Sequence, residues 1–372
     1  MKILLATGIY PPEIGGPATF VPALAEAAVA AGHEVRVLTY GDVGTPQGPT
    51  WPVTVVPRSG AAVLRYLRYA LACFGLARSV DVVFAQGAVS EGFPSAIAAW
   101  IARKPLVLRV PGDYAWEVAM RTPGTELLDD FLKTRHGGTI GIVERMERWV
   151  ARRAVRIVAP SRYLASVAER WGAPSDRIRT VYAGIEPLPA PSAGREALRG
   201  KFGVDGKTVV LAVMRAVPWK NGDLLIRAFA AAPTDRLLAF AGDGPALAEW
   251  KALASSLGLA DRVRFLGRVD RKTVAEWYLA ADVMALPSSY EGFPHVVYEA
   301  VSSGLPCLVS DRAGNPETKA LFPEYVEVLP IDDAASWTEV FARPWPRRPA
   351  AAPPVFAEKA KEILEILSTC AS

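Results

Sequence analysis

Two basic and two acidic side chains in the second half of the sequence carry its clearest chemical signal. Arg215 and Lys220 stand in Met214-Arg215-Ala216-Val217-Pro218-Trp219-Lys220-Asn221-Gly222, directly after the β-branched run Thr208–Val213. Two cations at the carboxyl end of a strand could neutralise a diphosphate, above all one that gathers charge as a leaving group. They read equally as a pair of surface charges. Glu291 and Glu299 stand in Ser288-Ser289-Tyr290-Glu291-Gly292-Phe293-Pro294-His295 and the four residues after it. A strand is expected to end near Leu286, a glycine-containing loop follows, and Pro294 suits the first turn of a helix. Glu291 projects from the loop. Glu299 falls on the helix in an otherwise apolar stretch, where a carboxylate needs a partner. A ribose diol would serve, since two carboxylate oxygens can accept from vicinal hydroxyls; a salt bridge or a helix-dipole contact would serve too.

Glycine-bearing loops follow other expected strands. Gly15-Gly16 lies between the first strand and a helix, where backbone amides can approach a phosphate. Gly242-Asp243-Gly244-Pro245 and Ala313-Gly314-Asn315-Pro316-Glu317 are turn chemistry taken singly. With the loops of Arg215/Lys220 and of Glu291, these last two make four on the second domain, and four make a nucleotide site more credible than any one does. Neither the dinucleotide fingerprint nor the P-loop is present, and there is no G-x-S-x-G elbow. With no Asp-x-Asp and only three scattered histidines, no divalent metal is implied, so a diphosphate would rely on protein cations and amides.

The elements that must position these residues alternate regularly. Strands are expected at Lys2–Leu5, Val35–Leu38, Val82–Ala85, Leu106–Val110, Arg156–Ala159 and Ile178–Tyr182, separated by amphipathic stretches, with Ser161 as a helix N-cap. The pattern restarts at Thr208–Val213, Leu237–Phe240, Val263–Phe265, Val283–Leu286 and Pro306–Val309. Alternation of this kind means parallel α/β sheets. The 372 residues thus divide into a first Rossmann-like domain over 1–186, a Pro-rich linker over 187–204, a second such domain over 205–345, and a Pro-rich segment with a terminal helix over 346–372 that crosses back to the first domain. Ligands of open α/β sheets bind beyond the carboxyl ends of the strands, which points both domains toward a shared cleft.

Three distant cysteines fit a reducing, cytoplasmic setting, and the short apolar start reads as a strand rather than a leader. Residues 1–190 carry 21 Lys/Arg against 16 Asp/Glu, while 191–372 carry 21 against 22. A basic first half suits an anionic partner, or is simply a solvated surface. Within it, the segment 58–78 sets Arg65 and Arg68 beside Leu64, Leu67, Leu71 and Phe74. That pattern fits either a helix lying on an anionic membrane, at its inner face, or a domain helix with its apolar side turned inward.

Taken together, the motifs resemble glycosyltransferase family 4, retaining nucleotide-sugar transferases of GT-B fold, over nearly the whole chain. The resemblance rests on Arg215/Lys220 as an R-x4-K pair, on Glu291/Glu299 as an E-x7-E pair, on Val263-Arg264-Phe265-Leu266-Gly267 and Gly304-Leu305-Pro306, and on Pro11-Pro12-Glu13-Ile14-Gly15-Gly16-Pro17 near the start. It implies two Rossmann-like domains facing each other across a cleft. The donor would be a nucleotide diphosphate sugar, the acceptor a glycan or a lipid-linked glycan, with no metal, no further cofactor and no nucleic acid. Arg215 and Lys220 would hold the diphosphate and Glu299 the ribose. Glu291, with Gly292, Phe293, Pro294 and His295, would contact the transferred sugar, and Gly15, Gly16 and Gly242 would lie along the donor. Where many relatives have His-Asp, this chain has Gly112-Asp113, so Asp113 is expected to take part of that role. A nucleotide-sugar epimerase and a non-catalytic nucleotide-sugar binder are the alternatives on the same scaffold.

Overall fold

The computed structural model describes residues 1–13, 15–42, 50–122 and 124–371; Ile14, inside the N-terminal stretch quoted above, lies outside the described residues. The chain divides into two compact units, one of Met1–Gly184 with Phe356–Ser372, the other of Ile185–Val355. Each is an open parallel sheet flanked by helices.

In the first unit the strands are β1 (Lys2–Thr7), β2 (Glu34–Gly41), β3 (Val53–Pro57), β4 (Val82–Ala85), β5 (Leu106–Arg109), β6 (Arg156–Ala159) and β7 (Ile178–Thr180). They run in parallel in the order β3-β2-β1-β4-β5-β6-β7. Both faces of such a sheet are covered, so its central strands are apolar nearly throughout: all four residues of β4 and of β5 are buried. Ile3 and Leu5 of β1 face helix Gly16–Ala30, with Leu24 and Ala28, and the terminal helix Phe356–Ala371, with Ile363 and Leu367. The other face is covered by helices Ala62–Ala77, Gly92–Ala102 and Gly138–Arg153. Ser161 caps the helix Arg162–Arg170, its hydroxyl accepting from the Leu164 amide at 3.1 Å.

In the second unit the strands are β8 (Thr208–Val213), β9 (Arg236–Ala241), β10 (Val263–Gly267), β11 (Val283–Leu286), β12 (Cys307–Ser310) and β13 (Val326–Leu329), ordered β10-β9-β8-β11-β12-β13 and again parallel. Strands β3 and β13 were not among the expected ones.

Two boundaries also differ from the sequence reading. Residues 187–204 are no free linker. They contain the helix Arg195–Phe202, whose Arg195 and Arg199 both bind the Asp282 carboxylate, and Ser192 donates to Glu276 at 2.5 Å. The stretch 346–355 likewise belongs to the second unit. Arg347 donates to the carbonyls of Tyr278 and Ala281, and the amides of Arg348 and Ala351 reach Gly304 and Val301. Proline keeps 187–191 and 346–354 out of helix and strand, but hydrogen bonds and packing fix both stretches all the same.

Candidate functional site

Each sheet has one place where strand order reverses direction, and there the two adjacent loops part to leave a crevice. In the second unit this switch point lies between β8 and β11. The loop after β8 carries Arg215 and Lys220; the loop after β11 carries Ser288 to Glu291. Main chain and side chain stitch these loops together. The Ser289 amide donates to Trp219 O at 2.8 Å, and Asn221 Nδ2 donates to Pro287 O at 2.8 Å and Ser289 Oγ at 2.7 Å. Lys220 Nζ thereby meets Glu291 Oε1 in an ion pair, to which Ser288 Oγ adds a hydrogen bond at 2.9 Å. Arg215 is exposed, and its guanidinium makes no hydrogen bond or ion pair among the described residues. Among the described residues nothing neutralises this cation.

Glu299 lies in the helix His295–Ser302 that the loop enters, with Pro294 as the capping residue. Its carboxylate accepts from Tyr278 Oη at 3.2 Å and stands 3.6 Å from Arg271 Nη2. Burial raises its pKa, against the attraction of Arg271 and the hydrogen bond from Tyr278. The partner expected for this acid is thus supplied in part by the chain itself. Phe293 and His295 set their rings edge to face at 5.3 Å.

The glycine loop after β9 runs beside the loop after β8. Gly242 has φ 142°, and a Cβ there would fall 1.9 Å from Met214 O, so a side chain would force the two loops apart. Gly314 approaches the loop after β11 in the same way: its amide donates to Glu291 O at 2.9 Å, and a Cβ would stand 2.7 Å from that oxygen. Below it, Asn315 Nδ2 and Ser310 Oγ both donate to Ser288 O, which fixes the loop from beneath.

The first unit has its own switch point, between β1 and β4, and a cavity of about 620 Å³ opens there. Sequence reasoning missed its polar lining. Gln86, one residue past β4, is 1% exposed, yet among the described residues neither its amide oxygen nor its nitrogen has a hydrogen-bond partner. Glu91 is buried beside Ser90 Oγ, in space left by Gly8 and Gly87, and burial raises its pKa. Glu147, from helix Gly138–Arg153, accepts from the amides of Tyr114 and Ala115 at 2.7 and 3.2 Å through one oxygen. Its other oxygen is buried with no partner among the described residues, and burial raises its pKa well above the ordinary carboxylate value. Arg58 also lines this cavity, but Glu13 and Gly8 O already occupy its guanidinium. Buried polar atoms are nearly always satisfied, so three bare ones in a cavity wall mark a place for a polar ligand.

Asp113 is not placed as expected. It is 1% exposed, caps helix Tyr114–Ala119 by accepting from the Trp116 amide at 2.8 Å, and accepts from Trp171 Nε1 at 3.0 Å. Both oxygens are used structurally. Gly15 and Gly16 open the helix Gly16–Ala30; a Cβ on Gly15 would press within 2.5 Å of Ile9 Cδ1, whereas one on Gly16 would meet nothing. A side chain at 15 would therefore require only the Ile9 side chain to move, and one at 16 would require nothing.

Two Rossmann-like units of this kind make up the GT-B architecture of glycosyltransferases. Residues 14–187 match the family described as Glycosyltransferase Family 4, and residues 194–321 match Glycosyl transferases group 1. The chain belongs to glycosyltransferase family 4. It is similar to the D-inositol 3-phosphate glycosyltransferase of Xylanimonas cellulosilytica, with 33% identity over 46% of this chain and 43% of that protein, so the match spans less than half of that relative. It is also similar to the alpha-monoglucosyldiacylglycerol synthase of Streptococcus pneumoniae, at 26% identity over 85% of this chain and 72% of that one. Among solved structures, the Anabaena protein HepE in complex with UDP shares its fold, with a TM-score of 0.73 at 21% identity over 99% of this chain and 100% of that one.

Proposed function

We propose that the chain transfers a sugar, with retention of anomeric configuration and without a metal, from a nucleotide diphosphate sugar to a hydroxyl of a glycan or lipid-linked acceptor. The carrying observation is the Lys220–Glu291 pair at the β8/β11 switch point, beside an unneutralised Arg215. In this reading the diphosphate binds Arg215 and Lys220, and Glu299 accepts from the ribose. Glu291 holds the Lys220 ammonium ready and turns its remaining oxygen to the transferred sugar. As the bond from the anomeric carbon to phosphate breaks, charge gathers on the phosphate oxygen, and two fixed cations stabilise it more than they stabilise the ground state. The acceptor oxygen bonds to that carbon on the same face, and its proton passes to the departing phosphate.

The acceptor would use the first unit's cavity, where Gln86 and Glu147 offer bare donors and acceptors. A lipid-linked acceptor would bring the enzyme to an anionic membrane surface. Among the described residues no group of three or more His, Cys, Asp and Glu could hold a metal ion. A thermal-shift panel of UDP-, GDP-, ADP- and dTDP-sugars tests the reading. One nucleotide class should stabilise the protein, equally in EDTA; no stabilisation by any of them would end it. Incubation with donor alone separates transfer from epimerisation, since an epimerase would convert the sugar with no acceptor present.

A further inference from the structure

The two oxygens of Glu299 are held differently. Oε2 accepts from Tyr278 Oη at 3.2 Å, and Tyr278 is fully buried, so one end of the carboxylate is fixed from below. Oε1 has Arg271 Nη2 at 3.6 Å, which is ion-pair reach but past hydrogen-bond length. Arg271 and Tyr278 stand seven residues apart on the helix Arg271–Ala280, and that spacing returns them to one face. The helix start is itself fixed, since Asp270 caps it by accepting from the Thr273 amide at 2.7 Å.

Arg271 does not close on the acid because its guanidinium is anchored elsewhere. The same Nη2 donates to Glu186 O at 3.0 Å. That carbonyl belongs to a pinned segment. Its neighbour Ile185 donates its amide to Pro354 O at 3.1 Å and pairs with Val355 in a parallel bridge. Held there, Arg271 gives Oε1 a nearby positive charge without taking its lone pairs. The Glu299 side chain is only 18% exposed, and burial favours its neutral form. Arg271 opposes that tendency. A carboxyl that took up a proton would turn one of its oxygens into a donor, whereas two vicinal hydroxyls call for acceptors.

We propose that Arg271 is a positioning residue for the donor: anchored on Glu186 O, it keeps the Glu299 carboxylate charged with Oε1 open, ready to accept from the ribose hydroxyls of a ribonucleotide. The role rests on the assignment of Glu299 to the ribose. Calorimetry with UDP, GDP and ADP identifies the ribonucleotide that the full chain binds, and that nucleotide then probes the variants. Arg271 is half exposed, so its replacement is expected to leave the fold intact. Arg271→Ala should weaken binding about fivefold or more, and Arg271→Lys, which keeps the charge, should recover most of the loss. The matching 2′,3′-dideoxynucleoside diphosphate offers Glu299 no hydroxyl and should bind the native chain and Arg271→Ala alike. In a Glu299→Gln background there is no charge to hold, and Arg271→Ala should then change nothing further. An equal loss in that background, or with the dideoxynucleotide, would mean that Arg271 meets the phosphates itself or only braces the fold, and would overturn the proposal. Native binding by Arg271→Ala, where Glu299→Gln weakens it, would overturn the proposal and leave the ribose assignment standing. If neither substitution weakens binding, the ribose assignment fails and the role of Arg271 falls with it.

Discussion

At the switch point of the second unit Lys220 is paired with Glu291, and Glu299 with Arg271; at that of the first unit Gln86 and one oxygen of Glu147 are buried and, among the described residues, left bare. Lys220 holds Glu291, Arg271 and Tyr278 attend Glu299, and Asn221 closes one loop on the other. In the first unit Gln86 has no partner and Glu147 uses only one of its oxygens. The two sheets deliver their loops by the same topology, so the difference lies in side chains alone. A site for an anion can keep its cations in place with carboxylates of its own until the ligand competes for them. A site for neutral hydroxyls has no such stand-in, and its amide and carboxyl groups wait unsatisfied at a cost in stability.

The largest expected effect tests the paired side. Lys220→Ala removes the cation and leaves Glu291 beside Ser288 alone; Glu299→Ala removes the acid assigned to the ribose. Each should lower the transfer rate by an order of magnitude or more, corresponding to about 2–4 kcal/mol for a lost charged transition-state contact. Steady-state kinetics with saturating acceptor would read it. Near-native turnover in both variants would remove the second unit's site from the reaction.

Asp113 lies near the first unit's cavity but outside its lining, and its two hydrogen bonds make it a cap rather than a ligand-binding group. Asp113→Asn keeps an oxygen for the Trp116 amide but turns an N–H toward Trp171 Nε1, itself a donor. Stability should fall by about 1–3 kcal/mol, while kcat per folded molecule stays as it was. Chemical denaturation together with active-site titration would separate the two. An unchanged melting curve with a collapsed rate would restore the role that the sequence suggested for this residue.

Much of the fold was legible because buried parallel strands are apolar runs of the right length, as β4 and β5 show. Strand β3 was harder: Val53–Pro57 sits at the sheet edge between two prolines and pairs with one neighbour only. The helix Arg195–Phe202 was hidden by the prolines before it, and its anchor, Asp282, is more than eighty residues away in sequence. The positions of Arg215, Lys220, Glu291 and Glu299 could be read from loops after strands. Their mutual pairing could not, because nothing local in sequence tells Lys220 that it will meet Glu291. The first unit's cavity was missed for the same reason, although two signals were present. Gln86 follows a fully apolar strand at its carboxyl end, where ligands bind. Glu147 shares a helical stripe with Val143, Val150 and Ala151, all buried.

Gln86 gives the sharpest test of the comparison, because two accounts of it predict opposite signs. If its amide is bare in the free protein, Gln86→Leu replaces an unsatisfied buried group with an apolar one of similar length. The protein should then gain about 1–2 kcal/mol, seen as a melting temperature raised by several degrees, about 2–4 °C for each kcal/mol in a domain of this size. The gain should come with a loss: KM for the acceptor rises, while the thermal shift given by the nucleotide sugar does not change. That split would place the residue on the acceptor's side of the reaction and show that its vacancy is kept for a ligand. A variant that melts lower would mean that Gln86 is already satisfied in the free protein, by ordered water for example. The contrast between a paired anion site and a bare hydroxyl site would then lose its main support, since Glu147 alone, with one oxygen already bonded, cannot define a site of its own.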